Sequence, residues 1–197
     1  MRGQWLFRAE VESRDGSASL RLTLRVFGAD EFELSAADAL GQTRWRLNAH
    51  GDQAVWVEPA HRRFCRLAIR DGLSAPGFRS RLPLEELPRL LLRRLPPEPN
   101  PSTELPQDGS AEVPDEAGRR WSGQRAGGAW TSWTLWEGER PVLWWRVDGE
   151  EAMISGRDPA FQLRWRQTAH GPLPAGAAAA TPESGYREES CIDSPAA

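Results

Sequence analysis

The sequence predicts a mainly β fold, in which about ten or eleven strands form an antiparallel sheet and one segment forms a helix. Three observations support this prediction. Apolar and polar residues alternate with a period of two in many short segments, turn residues separate these segments, and a single segment has a helical pattern. Strands and helices do not alternate along the chain, which excludes the Rossmann and TIM-barrel folds. Because such a sheet has one apolar face, it must curl into a barrel, a half-barrel or a sandwich.

The first alternating segment lies close to the N-terminus. Trp5, Phe7, Ala9 and Val11 fall on one face of a strand, and polar residues occupy most positions of the other face. The same period recurs in the segments LRLTLRV, DEFELS, TRWRLN, AVWVE and HRRFCRLAI. Turn residues such as Asp15-Gly16 separate these segments at short intervals, so this half of the chain is predicted to form an antiparallel meander.

A second group of strands follows a polar segment. Residues 96–118 are rich in Pro, Glu, Ser, Asp and Gly, which predicts a long loop. Alternation then resumes in the segments RRWSGQRA, AWTSWTLWEG, RPVLWWRVDG, EAMISG and AFQLRWRQT. Residues 170–197 are rich in Ala, Pro, Ser and Glu and are expected to be a disordered tail. The prediction is therefore one domain, 1–169, followed by the tail.

The segment LPLEELPRLLLRRLPPEP is the one convincing helix. Acidic residues occupy its first turn and arginines its last, as the helix dipole favours, and a helix is predicted from about Leu84 to Leu95. At about 100° per residue, the leucines span roughly 200° of the helix surface, whereas about 100° suffices for packing on one surface. Two interpretations remain open: the helix plugs the open side of the sheet with core on both flanks, or it is a lid with one edge facing a hydrophobic ligand.

Composition excludes several classes of function. The 25 basic residues, all arginine, and the 28 acidic residues are mixed along the chain and give a formal net charge of −3. This distribution does not indicate a nucleic-acid-binding surface. The absence of lysine from the sequence removes Schiff-base chemistry. No apolar run reaches the length of about 18 residues that a membrane-spanning helix needs.

Catalytic and metal-binding patterns are also lacking in the sequence. Cys65 and Cys191 are far apart, so neither a disulfide framework nor a metal cluster is expected. His50, His61 and His170 lie in a turn, at a strand start and at the start of the tail, where exposed histidines are common. There is no nucleophile elbow, no phosphate-binding glycine loop and no metal-ligand spacing. We therefore expect neither an enzyme nor a cofactor.

The ten tryptophans are expected mostly in the sheet core. Trp144 and Trp145 are adjacent and must point to opposite faces of a strand. Some tryptophan is therefore expected either to be exposed or to line a cavity.

The chain resembles the bacterial lipoprotein-carrier family that includes LolA and LolB, and more closely its LolB side. The resemblance runs through WLFRAEV, DEFELSAADALGQTRWRL, LPLEELPRLLLRRLP, WTSWTLWEGERP and FQLRWRQ, and covers about Gln4 to Thr168. Its most specific parts are a loop followed by an alternating strand, ADALGQTRWRL, and the leucine-rich helix. Ala39 stands where the family usually has proline, and Arg93-Arg94 stand where it often has glycine.

The resemblance implies an open antiparallel half-barrel whose apolar concave face is covered by a helical lid, with acyl chains bound between sheet and helix. Leu40 matches the protruding leucine that passes acyl chains toward the membrane. The residues expected to form the cavity and its lid are Leu22, Leu24, Trp45, Leu47, Leu84, Leu87, Leu91, Trp133, Trp145 and Leu163.

The function implied is binding and transfer of lipoproteins or acyl lipids, a chaperone role in outer-membrane lipoprotein localisation. The partners implied are acylated lipoproteins or lipids, a periplasmic carrier that hands over cargo, and the outer-membrane surface. Nucleic acid is not expected as a partner, and a monomer is expected. The alternative is a non-carrier periplasmic binding or regulatory module of the same fold, with a filled interior.

The location is left open by the residues themselves. The N-terminus passes directly into an alternating strand, without a signal region or a lipid-attachment cysteine. Either the protein is cytoplasmic or its export signal lies outside this sequence. The resemblance implies the periplasm, with outer-membrane anchoring as a further expectation.

Overall fold

One large open sheet organises the chain. The structure is a computed structural model, and it describes residues 2–14, 16–70, 72–75, 78–95, 105–114, 118–157, 160–177, 185–189 and 191. Thirteen strands follow one another in the order β15-β6-β5-β4-β3-β2-β1-β14-β13-β12-β11-β10-β9. The remaining two strands, β7 and β8, form a separate hairpin. The predicted open antiparallel sheet is therefore confirmed.

The strands of the first half are β1 Gly3–Ser13, β2 Gly16–Val26, β3 Glu31–Ala37, β4 Thr43–His50, β5 Gln53–Glu58, β6 Arg63–Ala68, β7 Gly72–Ala75 and β8 Phe78–Pro83. A 3₁₀ turn, Leu84–Glu86, leads into the helix α1, Leu87–Leu91. The second half contains β9 Gly109–Pro114, β10 Arg120–Ala126, β11 Ala129–Glu137, β12 Arg140–Asp148, β13 Glu151–Arg157, β14 Ala160–Gly171 and β15 Arg187–Glu188.

Strands β1 and β14 join two antiparallel meanders at the middle of the sheet. They pair over most of their length, from Gln4 opposite Gly171 to Ser13 opposite Phe161. Each half is therefore continuous with the other, and their apolar faces form one surface. Residues 84–95, here called the helical segment, pack against that surface. The surface and the helical segment together form one contiguous core.

The predicted number of ten or eleven strands was too low, because two short strands have weak sequence signals. β9 lies within the segment 96–118, for which the sequence predicts a loop, and only Ala111 and Val113 of this strand are buried. β15 has two residues and pairs in parallel with β6. A strand this short has no detectable alternation of its own and depends on its neighbour for pairing.

The helix is shorter than the predicted span from Leu84 to Leu95. Regular α-helix ends at Leu91, and Arg93 takes the left-handed conformation with φ of 58°. The amide of Arg94 donates to the Arg89 carbonyl and that of Arg93 to the Leu90 carbonyl, the pattern of a Schellman C-cap. Pro88 lies within the first turn of α1, so the residues before it form a 3₁₀ turn rather than regular helix.

Residues 185–189 and Cys191 lie at the edge of the sheet. Cys65 on β6 and Cys191 form a disulfide with their Cα atoms 5.4 Å apart, so the expectation that these cysteines do not pair was wrong. Distance in sequence did not predict distance in space, because β15 lies beside β6. Part of the segment expected to be disordered is placed in the structure: β14 extends to Gly171, and 185–189 reach the edge of β6.

Candidate functional site

The ten residues expected to form a cavity and its lid come together in one apolar cluster on the sheet face. Eight of them are buried: Leu22, Leu24, Leu47, Leu84, Leu87, Leu91, Trp133 and Trp145. Trp45 and Leu163 are half-buried and pack against the cluster. Alternation along the strands placed the sheet residues on one face, and the leucine segment covers that face.

The interior is closed around the leucines of the helical segment. The exposed fractions of Leu84, Leu87 and Leu91 are 0%, 6% and 4%, and Leu90 and Leu95 are also buried. Leu84, Leu87 and Leu91 therefore expose almost no surface to water. The wide apolar arc of the helix therefore meets protein side chains in this structure, rather than the wall of an open cavity.

Several polar contacts connect the helical segment to the rest of the fold. The indole nitrogen of Trp165 donates a hydrogen bond of 3.0 Å to the Leu91 carbonyl. Glu86, which is buried, forms an ion pair of 3.0 Å with Arg119, just before β10. These two contacts lie at the two ends of α1. In addition, the Glu85 amide donates to the Ile69 carbonyl at 3.3 Å, and Arg93 donates to the Glu150 carbonyl.

Three tryptophans on the neighbouring strands β10, β11 and β12 pack against one another. Trp133 and Trp145 stack with ring centroids 5.6 Å apart, and Trp121 meets Trp133 edge-on at 4.8 Å. Gly123 lies opposite Trp133, and a Cβ there would come within 2.0 Å of the Ser132 carbonyl oxygen. Only glycine therefore allows β10 to pass this close to β11.

The indole nitrogens of Trp133 and Trp145 are buried and have no hydrogen-bond partner. An unsatisfied buried donor costs about 1–3 kcal/mol. Sequence reasoning did not identify these donors, since it cannot tell which tryptophans find an acceptor. They would be available to a carbonyl oxygen that entered the interior.

Leu40 occupies the tip of the tight loop between β3 and β4. Its side chain is 84% exposed. The Asp38 carboxylate accepts hydrogen bonds from the amides of Leu40 and Gln42 at 2.9 and 3.0 Å, and it also pairs with Arg44 at 3.0 Å. The loop thus presents an apolar side chain to solvent on a backbone that is fixed from within.

A polar pocket of about 610 Å³ lies at the C-terminal end of the helical segment. The turns between β2 and β3 and between β10 and β11 form its other walls. Four arginines line it: Arg89, Arg93, Arg94 and Arg125. Sequence reasoning missed this pocket, because its arginines come from elements that are distant along the chain.

A charge cluster fixes the edge of the sheet near the disulfide. The carboxylate of Glu58 accepts hydrogen bonds from the Trp56 indole at 3.1 Å and from the Arg63 guanidinium at 2.8 Å, and His61 lies 3.0 Å away. Burial raises the pKa of Glu58, but the hydrogen bonds from His61, Arg63 and Trp56 and the charge of Arg63 outweigh burial, so the pKa lies below its usual value. Glu58 also orients Trp56, which stacks on Trp45 at 4.6 Å.

The described ranges contain neither a metal-binding cluster nor a membrane-spanning helix. No group of three or more His, Cys, Asp or Glu side chains in those ranges is arranged to hold a metal ion. No helix among those residues has the length and apolar character needed to cross a membrane.

Comparison with known proteins supports the fold. No family model and no curated protein sequence matches the chain. A LolA superfamily protein from Nitrosomonas europaea has a similar structure, with a TM-score of 0.57, 8% identity and coverage of 88% of this chain and 86% of that one. A protein domain named for outer membrane lipoprotein sorting, from Vibrio parahaemolyticus, has a TM-score of 0.52 and 10% identity, and 89% of this chain and 86% of that one are covered.

A third structure, a DUF1329 family protein from Desulfovibrio piger, has a TM-score of 0.50 and 10% identity, with 89% of this chain and 87% of that one covered. At such low identities the likeness is one of fold. The chain therefore shares the fold of these LolA-superfamily and lipoprotein-sorting structures.

Proposed function

We propose that the protein binds acylated lipoproteins or acyl lipids between the sheet and the helical segment, and transfers them in the periplasm toward the outer membrane. The observation that carries this proposal is the arrangement of the leucine segment. A short helix with apolar residues over most of its surface covers the apolar face of an open sheet, and among the described residues a few hydrogen bonds and an ion pair hold it there. Such a helix can leave the sheet as a unit.

Binding would exchange leucine contacts for acyl-chain contacts. Burying an acyl chain contributes about 0.8 kcal/mol for each CH₂ group, so a chain of about sixteen carbons contributes on the order of 12 kcal/mol. This gain is large compared with the few hydrogen bonds and the ion pair that hold the helical segment. The unpartnered indole groups of Trp133 and Trp145 would gain acceptors in the ester or amide carbonyls of an acylated ligand.

Two further features support the proposal. Leu40 is an exposed apolar side chain on a fixed loop, suited to contact a membrane during transfer. The Cys65–Cys191 disulfide is typical of proteins in oxidising compartments, which include the periplasm. The same proposal includes anchoring to the outer membrane and receipt of cargo from a periplasmic carrier. It also includes a closer relationship to LolB than to LolA.

A second candidate function is a non-carrier binding or regulatory module of the same fold. The closed packing of Leu84, Leu87 and Leu91 favours this alternative, because a module of that kind needs no cavity. The two candidates differ in whether the interior opens for an acylated ligand.

The experiment is a tryptophan fluorescence titration with a tripalmitoylated lipopeptide and with the same peptide lacking its acyl chains. The proposal predicts a saturable change with the acylated peptide alone. Leu91→Glu should abolish the change while circular dichroism confirms a folded sheet, and Leu40→Glu is the matched control outside the interior, with binding retained. A flat titration with folded wild-type protein would instead support the non-carrier module.

A further inference from the structure

The polar pocket at the end of the helical segment combines two kinds of wall. Its apolar residues include Val26, Phe32, Ile69 and Leu95, and all four are buried members of the core that lies under the helix. Its polar residues include three arginines of the helical segment, Arg89, Arg93 and Arg94, and Arg125 near the end of β10. A molecule in the pocket would therefore lie beside both arginines and apolar core residues.

The arginines of the pocket lack carboxylate partners among the residues that the structure describes. Arg93 donates to the Glu150 carbonyl, and Arg125 donates to the carbonyls of Pro106 and Gly128. Arg89 and Arg94 are exposed and take part in none of the ion pairs found in the described ranges. Their guanidinium groups therefore have donors available for an incoming ligand.

Acidic residues of the pocket do not neutralise these groups. Asp30, Glu31 and Glu85 also line it, so four arginines against three carboxylates leave a net charge of +1. Glu31 is directed to His50, at 3.7 Å, rather than to an arginine. The nitrogen Nε of Arg125 is buried without a hydrogen-bond partner. The pocket thus holds more cationic donors than its own acceptors satisfy.

Arg93 occupies a position at which glycine is the favoured residue. It is the left-handed residue of the Schellman cap, with φ of 58°, and a side chain there costs backbone energy relative to glycine. An arginine kept in a strained backbone conformation at the rim of a pocket indicates that the side chain contributes something glycine cannot. Arg93 is one of the residues that line the pocket, and its side chain connects the end of the helical segment to the β12–β13 turn through the Glu150 carbonyl.

We propose that this pocket binds the anionic head group, a phosphate or a carboxylate, of an amphiphile whose chain enters the apolar interior beside Leu95. Arginine forms strong, often paired, hydrogen bonds with phosphate and carboxylate oxygens, and several guanidinium groups on one rim suit a head group with two or three such oxygens. This inference rests on the proposed function and specifies it: among acylated ligands, those with an anionic head are preferred.

The test compares ligands that share a chain and differ in the head. Calorimetric titrations would use dodecyl phosphate, dodecanoate and dodecyltrimethylammonium, each below its micelle concentration, and inorganic phosphate for the head alone. We expect dodecyl phosphate and dodecanoate to bind, with Kd at least about tenfold lower than for the cationic ligand, in keeping with the loss of charge-assisted hydrogen bonds. Comparable affinity for the cationic ligand would overturn the proposal, and so would tight binding of inorganic phosphate alone.

Two variants of pocket residues and one control variant test whether the preference for an anionic head group depends on the pocket. Arg89→Gln/Arg94→Gln changes exposed side chains only, so it should fold normally and bind dodecyl phosphate about tenfold more weakly. Arg164→Gln, on an exposed residue of β14, is the matched control and should bind like the wild type. Arg93→Gly should raise the melting temperature through the relaxed cap and still weaken binding of dodecyl phosphate. Undiminished binding by the double variant would refute the assignment.

Titration with the tripalmitoylated lipopeptide distinguishes this inference from the proposed function. If the wild type binds the tripalmitoylated peptide and shows no preference for an anionic head, the acyl-binding function stands and the head-group site is refuted. If none of the acylated or alkyl ligands binds, the proposed function itself is refuted.

Discussion

The indole nitrogen of Trp165 on β14 donates a buried hydrogen bond of 3.0 Å to the carbonyl oxygen of Leu91, the last residue of α1. The carbonyl groups at a helix C-terminus have no partner within the helix. Trp165, on the apolar face of the sheet, therefore provides a hydrogen-bond partner for one of these carbonyl groups. It connects the end of the helix to the face that the helix covers. A helix that opens for a ligand must break this bond.

Replacing Trp165 by phenylalanine removes the donor and keeps an aromatic ring. The Leu91 carbonyl then lies buried without its partner, and we expect the free energy of unfolding to fall by about 1–3 kcal/mol. Because the closed state loses stability and the open state does not, the association rate of an acylated peptide should rise. Stopped-flow tryptophan fluorescence measures that rate.

Trp136→Phe is the matched control, since the Trp136 indole donates to Ser122 at 2.8 Å and not to the helical segment. It should alter stability without altering the association rate. Equal association rates in Trp165→Phe and wild type would show that this hydrogen bond does not limit opening.

Leu40→Glu tests the exposed loop. Because the Leu40 side chain is exposed and the loop is held by Asp38, the free energy of unfolding should change by no more than about 0.5 kcal/mol. Binding of an acylated peptide should be unchanged, while its transfer from the protein to phospholipid vesicles should slow severalfold. Leu40→Ile, which retains the apolar surface, should transfer at the wild-type rate; a normal rate for Leu40→Glu would remove the loop from the transfer step.

The lowered pKa of Glu58 predicts a pH dependence of stability. A carboxyl group whose pKa is lower in the folded state than in the unfolded state stabilises the protein at pH values above its unfolded-state pKa. This stabilisation is lost as the pH falls through the folded-state pKa. Wild type should therefore be more stable than Glu58→Gln at neutral pH, and the difference should shrink as pH falls below the ordinary glutamate value of 4.5. Urea unfolding at a series of pH values measures this, and a difference that stays constant down to strongly acidic pH would contradict it.

Reduction of the Cys65–Cys191 disulfide should release residues 185–189 and Cys191 from the edge of β6. The disulfide closes a loop with a sequence separation of 126, and such a crosslink stabilises a protein by about 2–4 kcal/mol. Thermal unfolding with and without reductant should show a lower melting temperature in the reduced protein. The variant Cys65→Ser/Cys191→Ser should melt like the reduced wild type and be insensitive to reductant. A wild-type melting temperature that reductant leaves unchanged would exclude the disulfide.

Alternation predicted the sheet well because one face of each long strand is buried. Leu22 and Leu24 on β2, and Leu47 on β4, were assigned to the apolar face from the period of two alone, and they lie there. The short strands β9 and β15 escaped detection because they have few residues and depend on a neighbour for pairing. The coarse fold was thus predictable from local pattern, while its edges depended on tertiary contacts.

The helix and the pocket show where local pattern fails. The leucine pattern continues to Leu95, but the left-handed Arg93 ends the helix earlier, and a sequence alone does not reveal that an arginine adopts this conformation. The arginine pocket joins Arg89 on the helix to Arg125 beside the β10–β11 turn. Only the folded sheet brings these two together, so no motif could indicate the pocket.

The most direct test of the account is the distance between the helical segment and the sheet during ligand binding. Spin labels at Glu85 and Arg164, two exposed positions on the 3₁₀ turn and on β14, would report this distance by pulsed electron resonance with the native disulfide left intact. A saturating tripalmitoylated lipopeptide should shift the distance distribution to longer values, and the unacylated peptide should leave it unchanged. An unchanged distribution in protein that has bound the acylated peptide would contradict the claim that the ligand enters beneath this helix.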